Sequence, residues 1–154
     1  MEFTIEKLKA DNGFDRFAEL VSLFAEVFEM KTFSSPPEHH LQMLLKSPGF
    51  MVFVALSGET VVGGLTVYTL QQYYSVKPLA YIFDLAVQTR WQRRGIGRAL
   101  VEAVKKDCAD LGYEEVFVQA DKIDDYALEF YRSTGITLEE DVSHFYYSLT
   151  PPRS

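Results

Sequence analysis

Three groups of residues have the type and spacing to do chemistry. The first is Gln92-Arg93-Arg94-Gly95-Ile96-Gly97, between a β-patterned run and a helix-patterned one. A helix opening there turns free backbone N–H groups and its positive end outward, which makes an anion site. Gly95 and Gly97 carry no Cβ, so a diphosphate can approach the main chain, and Arg93, Arg94 and Arg98 add positive charge. The second is Asp84, a carboxylate inside the apolar run Tyr81-Ile82-Phe83-Asp84-Leu85-Ala86-Val87. Such a group is costly unless paired or functional. Its apolar neighbours predict a raised pKa, suited to a general base. Strict alternation puts Tyr81, Phe83, Leu85 and Val87 on one face and Ile82, Asp84 and Ala86 on the other. The third group is electrostatic. From Asp121 to Asp141, seven acids (Asp121, Asp124, Asp125, Glu129, Glu139, Glu140, Asp141) stand against Lys122 and Arg132. From Arg90 to Lys106, six basic residues stand against Glu102. One stretch suits a cation and the other an anion; solvated faces are the plain alternative.

The turn at 92–97 differs from two other phosphate loops. G-x-x-x-x-G-K-[ST] is absent, and a dinucleotide fingerprint would need glycine where Leu100 stands. Cys108 reads as a small hydrophobe, and His39, His40 and His144 lack metal spacing, so no metal is expected.

The elements that must position these groups follow from periodicity. Phe3, Ile5 and Leu8 suggest a first strand. A helix from about Gly13 carries the stripe Phe14, Phe17, Leu20, Val21, Phe24 and Phe28. Ser35-Pro36-Pro37-Glu38 reads as a capping box opening a second helix, with Leu41, Leu44 and Leu45 inward. Strands are predicted at 50–56, 60–70 and 79–87. A helix follows 92–97 with Ile96, Leu100, Ala103, Val104 and Leu111 inward, closed by a left-handed Gly112. A strand at 114–120, a helix at 124–134 closed by Gly135, and strands at 136–140 and 143–149 complete the order β-α-α-β-β-β-α-β-α-β-β.

The whole, 1–154, reads as one α/β domain without repeat or linker. At 47% hydrophobic and 24% charged it can bury a core. The net charge of −7 argues against nucleic acid as a partner. No apolar run approaches a membrane span, and MEFTIEKLKAD lacks a signal-peptide core, so no membrane partner is expected. The single cysteine fits a reducing compartment, and a cytoplasmic location is expected.

Q-x-x-G-x-G after Tyr-Ile-Phe-Asp-Leu-Ala-Val resembles the acyl-CoA pyrophosphate loop of the GNAT N-acetyltransferases. The resemblance extends through Gly112-Tyr113, EEVFVQA, and Ala127-Leu128-Glu129-Phe130-Tyr131 ahead of Gly135-Ile136. It implies the GNAT fold, a mixed, mostly antiparallel sheet flanked by helices, and acetyl-CoA as co-substrate. Asp84 would meet the substrate amine. Leu85, Ala86 and Val87 would contact the cofactor, with an oxyanion donor near Ala86 or Val87. Gln92, Arg93, Arg94, Gly95, Ile96, Gly97 and Arg98 would hold its phosphates, and Tyr131 would serve the leaving thiolate. Val118-Gln119-Ala120-Asp121, Asp124-Asp125 and His144-Phe145 are further similar to the aminoglycoside 3-N-acetyltransferases, enzymes of antibiotic resistance. That likeness implies a polycationic substrate held by Asp84, Asp121, Asp124, Asp125 and Glu38. Glu29 to His40 matches the family's substrate loop only loosely. Two alternatives stand beside this one: the same chemistry on a polyamine, amino acid or peptide, and a non-catalytic acyl-CoA-binding module. The homodimeric state is left open.

Overall fold

The protein is described by a computed structural model over residues 2–150. The chain divides after Ala120 into two compact units. The first is built on a five-stranded sheet in the order β1-β2-β3-β4-β5: β1 (Thr4–Lys7), β2 (Phe50–Ser57), β3 (Thr60–Leu70), β4 (Leu79–Val87) and β5 (Glu115–Val118). Neighbours pair antiparallel except β4 and β5, which run parallel. Helices α1 (Phe14–Val27) and α2 (Glu38–Lys46) cover one face, and α3 (Ile96–Asp110) covers the other.

Side-chain alternation along β2 builds both cores. Phe50, Val52, Val54 and Leu56 pack with Phe17, Leu20, Leu23, Phe24 and Leu41 of the first two helices. Met51, Phe53 and Ala55 pack with Ile96, Leu100, Val104 and Cys108 of α3. Such a sheet, buried on both sides, explains why β2 reads as an unbroken apolar run.

Four expectations give way. The helix α2 opens at Glu38 with Pro37 as its N-cap, φ −59° and ψ 148°, and no side chain caps it. Ser35 therefore lies too far upstream to close a capping box. Leu111 stands just past the end of α3, 55% exposed, while Val101 and Cys108 fill the inner face. The runs 136–140 and 143–149 alternate like strands but enter no ladder among the described residues, since a strand exists only where another backbone pairs with it. The fourth is the face of Asp84, which a bulge decides. Gly112, at φ +85°, does close α3 as expected, with the Tyr113 N–H donating to the Cys108 carbonyl at 2.9 Å.

Helix α1 sits on β3 because Gly64 has no side chain. A Cβ there would lie 2.6 Å from Leu20 Cδ1 and 2.8 Å from the Phe53 carbonyl oxygen. Since the oxygen belongs to backbone, the conflict cannot be relieved by a rotamer change alone. Gly64→Ala is expected to cost about 1–3 kcal/mol in urea unfolding, whereas Gly58→Asn, in an open left-handed turn, should cost far less.

Candidate active site

Strand β4 carries the site because it loses a neighbour halfway along. Its pairing with β5 runs from Leu79↔Glu115 to Ile82↔Val118 and stops, while its pairing with β3 continues to Val87. The N–H of Gln88 donates to the Val62 carbonyl on β3 at 2.8 Å. Main-chain direction alternates along a strand, so the polar groups of Val87 and Leu85 point the opposite way, to the unpaired edge. Ala86 points to β3, its carbonyl close against Gly63. Of the three residues expected to contact the cofactor, Leu85 and Val87 therefore present their amides to that edge, while Ala86, one of the two expected as the oxyanion donor, does not. The Gln92 Nε2 donates to the Val87 carbonyl at 3.1 Å and so ties the following turn to the end of β4.

That turn has the form the sequence suggested. A short 3-10 helix, Thr89–Trp91, leads into it. Arg93 (φ 63°) and Gly95 (φ 84°) are both left-handed, and Gly95 is the N-cap of α3. No side chain caps this helix, and its first turn contains no acid. The first intrahelical donor is the Ala99 N–H, to Gly95 at 3.0 Å. The N–H groups of Ile96, Gly97 and Arg98 therefore lack a carbonyl one turn earlier, and they face outward with the positive helix end. The Arg94 guanidinium lies 5.5 Å from the centre of the buried Trp91 ring. These residues fit the diphosphate of coenzyme A: donors, positive charge and room for close approach, with no acid in the first turn of α3.

Asp84 stands opposite Thr66 of β3, next to a bulge. Thr66 pairs with Asp84 but Val67 pairs with Ile82, so Phe83 is an extra residue in β4. Beyond it the alternation is inverted. Ile82 and Val87 lie in the core beneath α3, with Leu85 packed against it, while Ala86 lies beneath α1 and α2. Asp84 thus shares a face with Ala86 and opposes Ile82, which corrects the simple alternation. Burial pushes its carboxyl above the ordinary carboxylate value. Among the described residues no basic side chain forms an ion pair with it.

The remaining predicted residues lie on or beside other elements. Glu38 opens α2 and accepts from Gln42 Nε2 at 3.2 Å. In the unit from Asp121 onward, α4 (Asp125–Arg132) is capped by Asp124, whose Oδ1 accepts from the Ala127 N–H at 3.0 Å. Asp125 sits in its first turn and Asp121 at the loop before it. Tyr131 lies on α4 with its ring 4.9 Å from Phe130. Arg132 holds Glu139 through two hydrogen bonds of 2.9 and 2.8 Å, which lower the Glu139 pKa and raise that of Arg132. Lys122 pairs with Asp141. The acidic run is therefore partly neutralised by its own unit. Sequence reasoning missed the bulge and Thr66, whose only signal is a register between strands. Among the described residues no group of three or more His, Cys, Asp or Glu is gathered as for a metal. No helix there is long and apolar enough to cross a membrane.

Asp84 gives a stability prediction with a definite sign. A carboxyl whose folded pKa exceeds its unfolded value favours folding while protonated, and that contribution is lost as pH rises through the folded pKa. Asp84→Asn should therefore gain on the unchanged protein, in thermal unfolding, as pH rises from the ordinary carboxylate value through the raised one. A gain that shrinks across that interval would place Asp84 in a stabilising contact.

The model of the acetyltransferase (GNAT) family matches residues 16–136. An aminoglycoside acetyltransferase from an uncultured soil metagenomic sample, solved in complex with sisomicin, is 57% identical with a TM-score of 0.94, covering 96% of this chain and 97% of that one. Aminoglycoside N(6')-acetyltransferase type 1 of Stenotrophomonas maltophilia is 32% identical over 122 residues, 75% of this chain and 78% of that protein. N-acetyltransferase 8B of Rattus norvegicus is 31% identical over 91 residues, 59% of this chain, and the match spans only 41% of that protein. The chain belongs to the GNAT acetyltransferase family, whose co-substrate is acetyl-CoA.

Proposed function

We propose that the protein is an aminoglycoside N-acetyltransferase, acting in the cytoplasm as one catalytic domain and conferring antibiotic resistance. The observation that carries the acetyl-transfer half is the uncapped start of α3 beside the unpaired edge of β4, with an ion-pair-free, half-buried Asp84 on that strand. The substrate half rests on the 57%-identical relative solved with sisomicin. A polycationic acceptor also suits a chain of net charge −7. Exposed carboxylates supply about 1 kcal/mol or less each, so several must act together. Asp121, Asp125 and Glu38 serve that purpose here, with Asp124 contributing the oxygen it does not spend on its cap.

In this mechanism the α3 amides, with Arg93, Arg94 and Arg98, hold the cofactor's diphosphate, and Gln92 keeps the turn in place. Acetyl-CoA supplies an activated acyl group. Asp84 takes a proton from the substrate ammonium, since only the neutral amine has a lone pair with which to attack. The N–H groups of Val87 and Leu85 stabilise the negative charge that develops on the carbonyl oxygen as the new C–N bond forms. Tyr131 gives a proton to the sulfur as the C–S bond breaks, and the proton lost by the newly acylated nitrogen restores it by way of solvent. Transfer is direct, so Cys108 has no part in it.

The likeness in sequence implies the 3-N amine as acceptor. A second assignment, the 6'-N amine, is favoured by the 6'-type relative. NMR of acetylated sisomicin separates the two by which ring carries the new amide.

A thiol-release assay with acetyl-CoA and a panel of aminoglycosides, polyamines and peptides tests the whole scheme. Turnover is expected with aminoglycosides; turnover confined to peptides would overturn the substrate, and none at all would leave a binding module. Asp84→Asn should lower kcat about 100-fold or more with the KM for acetyl-CoA unchanged. The rate should rise with pH through the raised Asp84 pKa. Tyr131→Phe should lower kcat several-fold, and full activity would return Tyr131 to a packing role.

A further inference from the structure

The bulge in β4 also sets an aromatic ring beside the carboxylate. With one extra residue opposite Thr66, Phe83 and Asp84 fall on the same face of the sheet, where strict alternation would have parted them. Phe83 belongs to neither buried core and is 53% exposed, although it lies within a strand. Its ring is nonetheless fixed. It meets Tyr68 edge-on at 5.5 Å and Tyr81 edge-on at 5.8 Å. Tyr81 stacks on Phe117 at 4.7 Å, and Phe50 abuts Tyr68 at 5.1 Å. A row of aromatic rings thus crosses from β2 to β5 and shows part of its surface next to Asp84. Open aromatic surface beside a carboxylate suits one class of group, an organic cation.

We propose that Phe83, braced by Tyr68, is a specificity-determining platform on which the ammonium-bearing sugar ring of the substrate rests while Asp84 engages its amine. The ring's apolar C–H face lies on the phenyl and its ammonium is shared between the aromatic face and the carboxylate. A substrate without such a charged, flat-faced ring would meet only half of the site. This inference rests on the aminoglycoside assignment above and refines it.

Titration calorimetry of sisomicin into the CoA-loaded protein, with kcat and KM from thiol release, tests the platform. Phe83→Leu keeps an apolar side chain but removes the π face, and should raise Kd and KM for sisomicin about tenfold. The KM for acetyl-CoA and the thermal midpoint should stay near those of the unchanged protein. Phe83→Trp restores a π face and should keep sisomicin affinity. Unaltered affinity in Phe83→Leu, or equal weakening in the Leu and Trp variants, overturns the proposal. Should Phe83→Leu fold poorly, Phe83→Met takes its place with the same expected loss. If the unchanged protein fails to bind sisomicin yet acetylates another cationic amine, the aminoglycoside assignment falls. The same variants measured on that amine then decide the platform.

Discussion

Main-chain polar groups removed from water require partners, and β4 is the place where this protein withholds them. Up to Ile82 the strand pairs with strands on both sides; from Asp84 onward its only strand partner is β3. A sheet interrupted in this way is stable only if something else satisfies the exposed edge, whether water or ligand. Every other feature of the candidate site is placed with respect to that interruption. The turn after the strand is tied back by Gln92, α3 starts with its donors unclaimed, and the bulge sets Asp84 and Phe83 at the point where the pairing ends. The two halves of the proposed chemistry, anion binding and proton removal, would thereby be carried by one strand and its continuation.

The same strand shows how packing enforces this arrangement. Ala80 and Ile82 anchor its first half under α3, while Val87 anchors its end in that same core. Ala86 meanwhile lies in the opposite core, against the helices α1 and α2. Ile82 and Val87 stand an odd number of positions apart, so both can lie in one core only if the strand takes an irregular step between them. The bulge is thus demanded by the two hydrophobic layers, and the carboxylate is half-buried as a result.

Much of the fold was legible because period and burial coincide. The phenylalanine and leucine stripe from Phe14 to Phe28 and the apolar run from Phe50 to Leu56 leave little choice of element. The phosphate turn was legible because glycine and arginine spell out both its geometry and its charge. What escaped depends on relations between segments. The bulge at Phe83 follows from the register against Thr66, which no single strand reveals. Ser35 has the right composition for a helix cap, but Pro37 holds the cap position itself. Alternation at 136–149 states a capacity to pair, and no neighbouring backbone among the described residues takes it up. Asp124 illustrates a subtler ambiguity: one carboxylate can cap a helix with one oxygen and keep the other for a further contact.

Cys108, the one cysteine of the chain, lies buried on the inner face of α3, where burial first and then the neighbouring Asp107 push its thiol up to about 11. An acetyl-CoA-dependent enzyme liberates a free thiol with every turnover, and its oxidised forms would cross-link to any accessible thiolate. Exchange needs the attacking sulfur ionised and reachable, and Cys108 is neither. On the proposed function, the protein is therefore insulated from covalent capture by its own product, and accumulated coenzyme A disulfide should leave it unmodified.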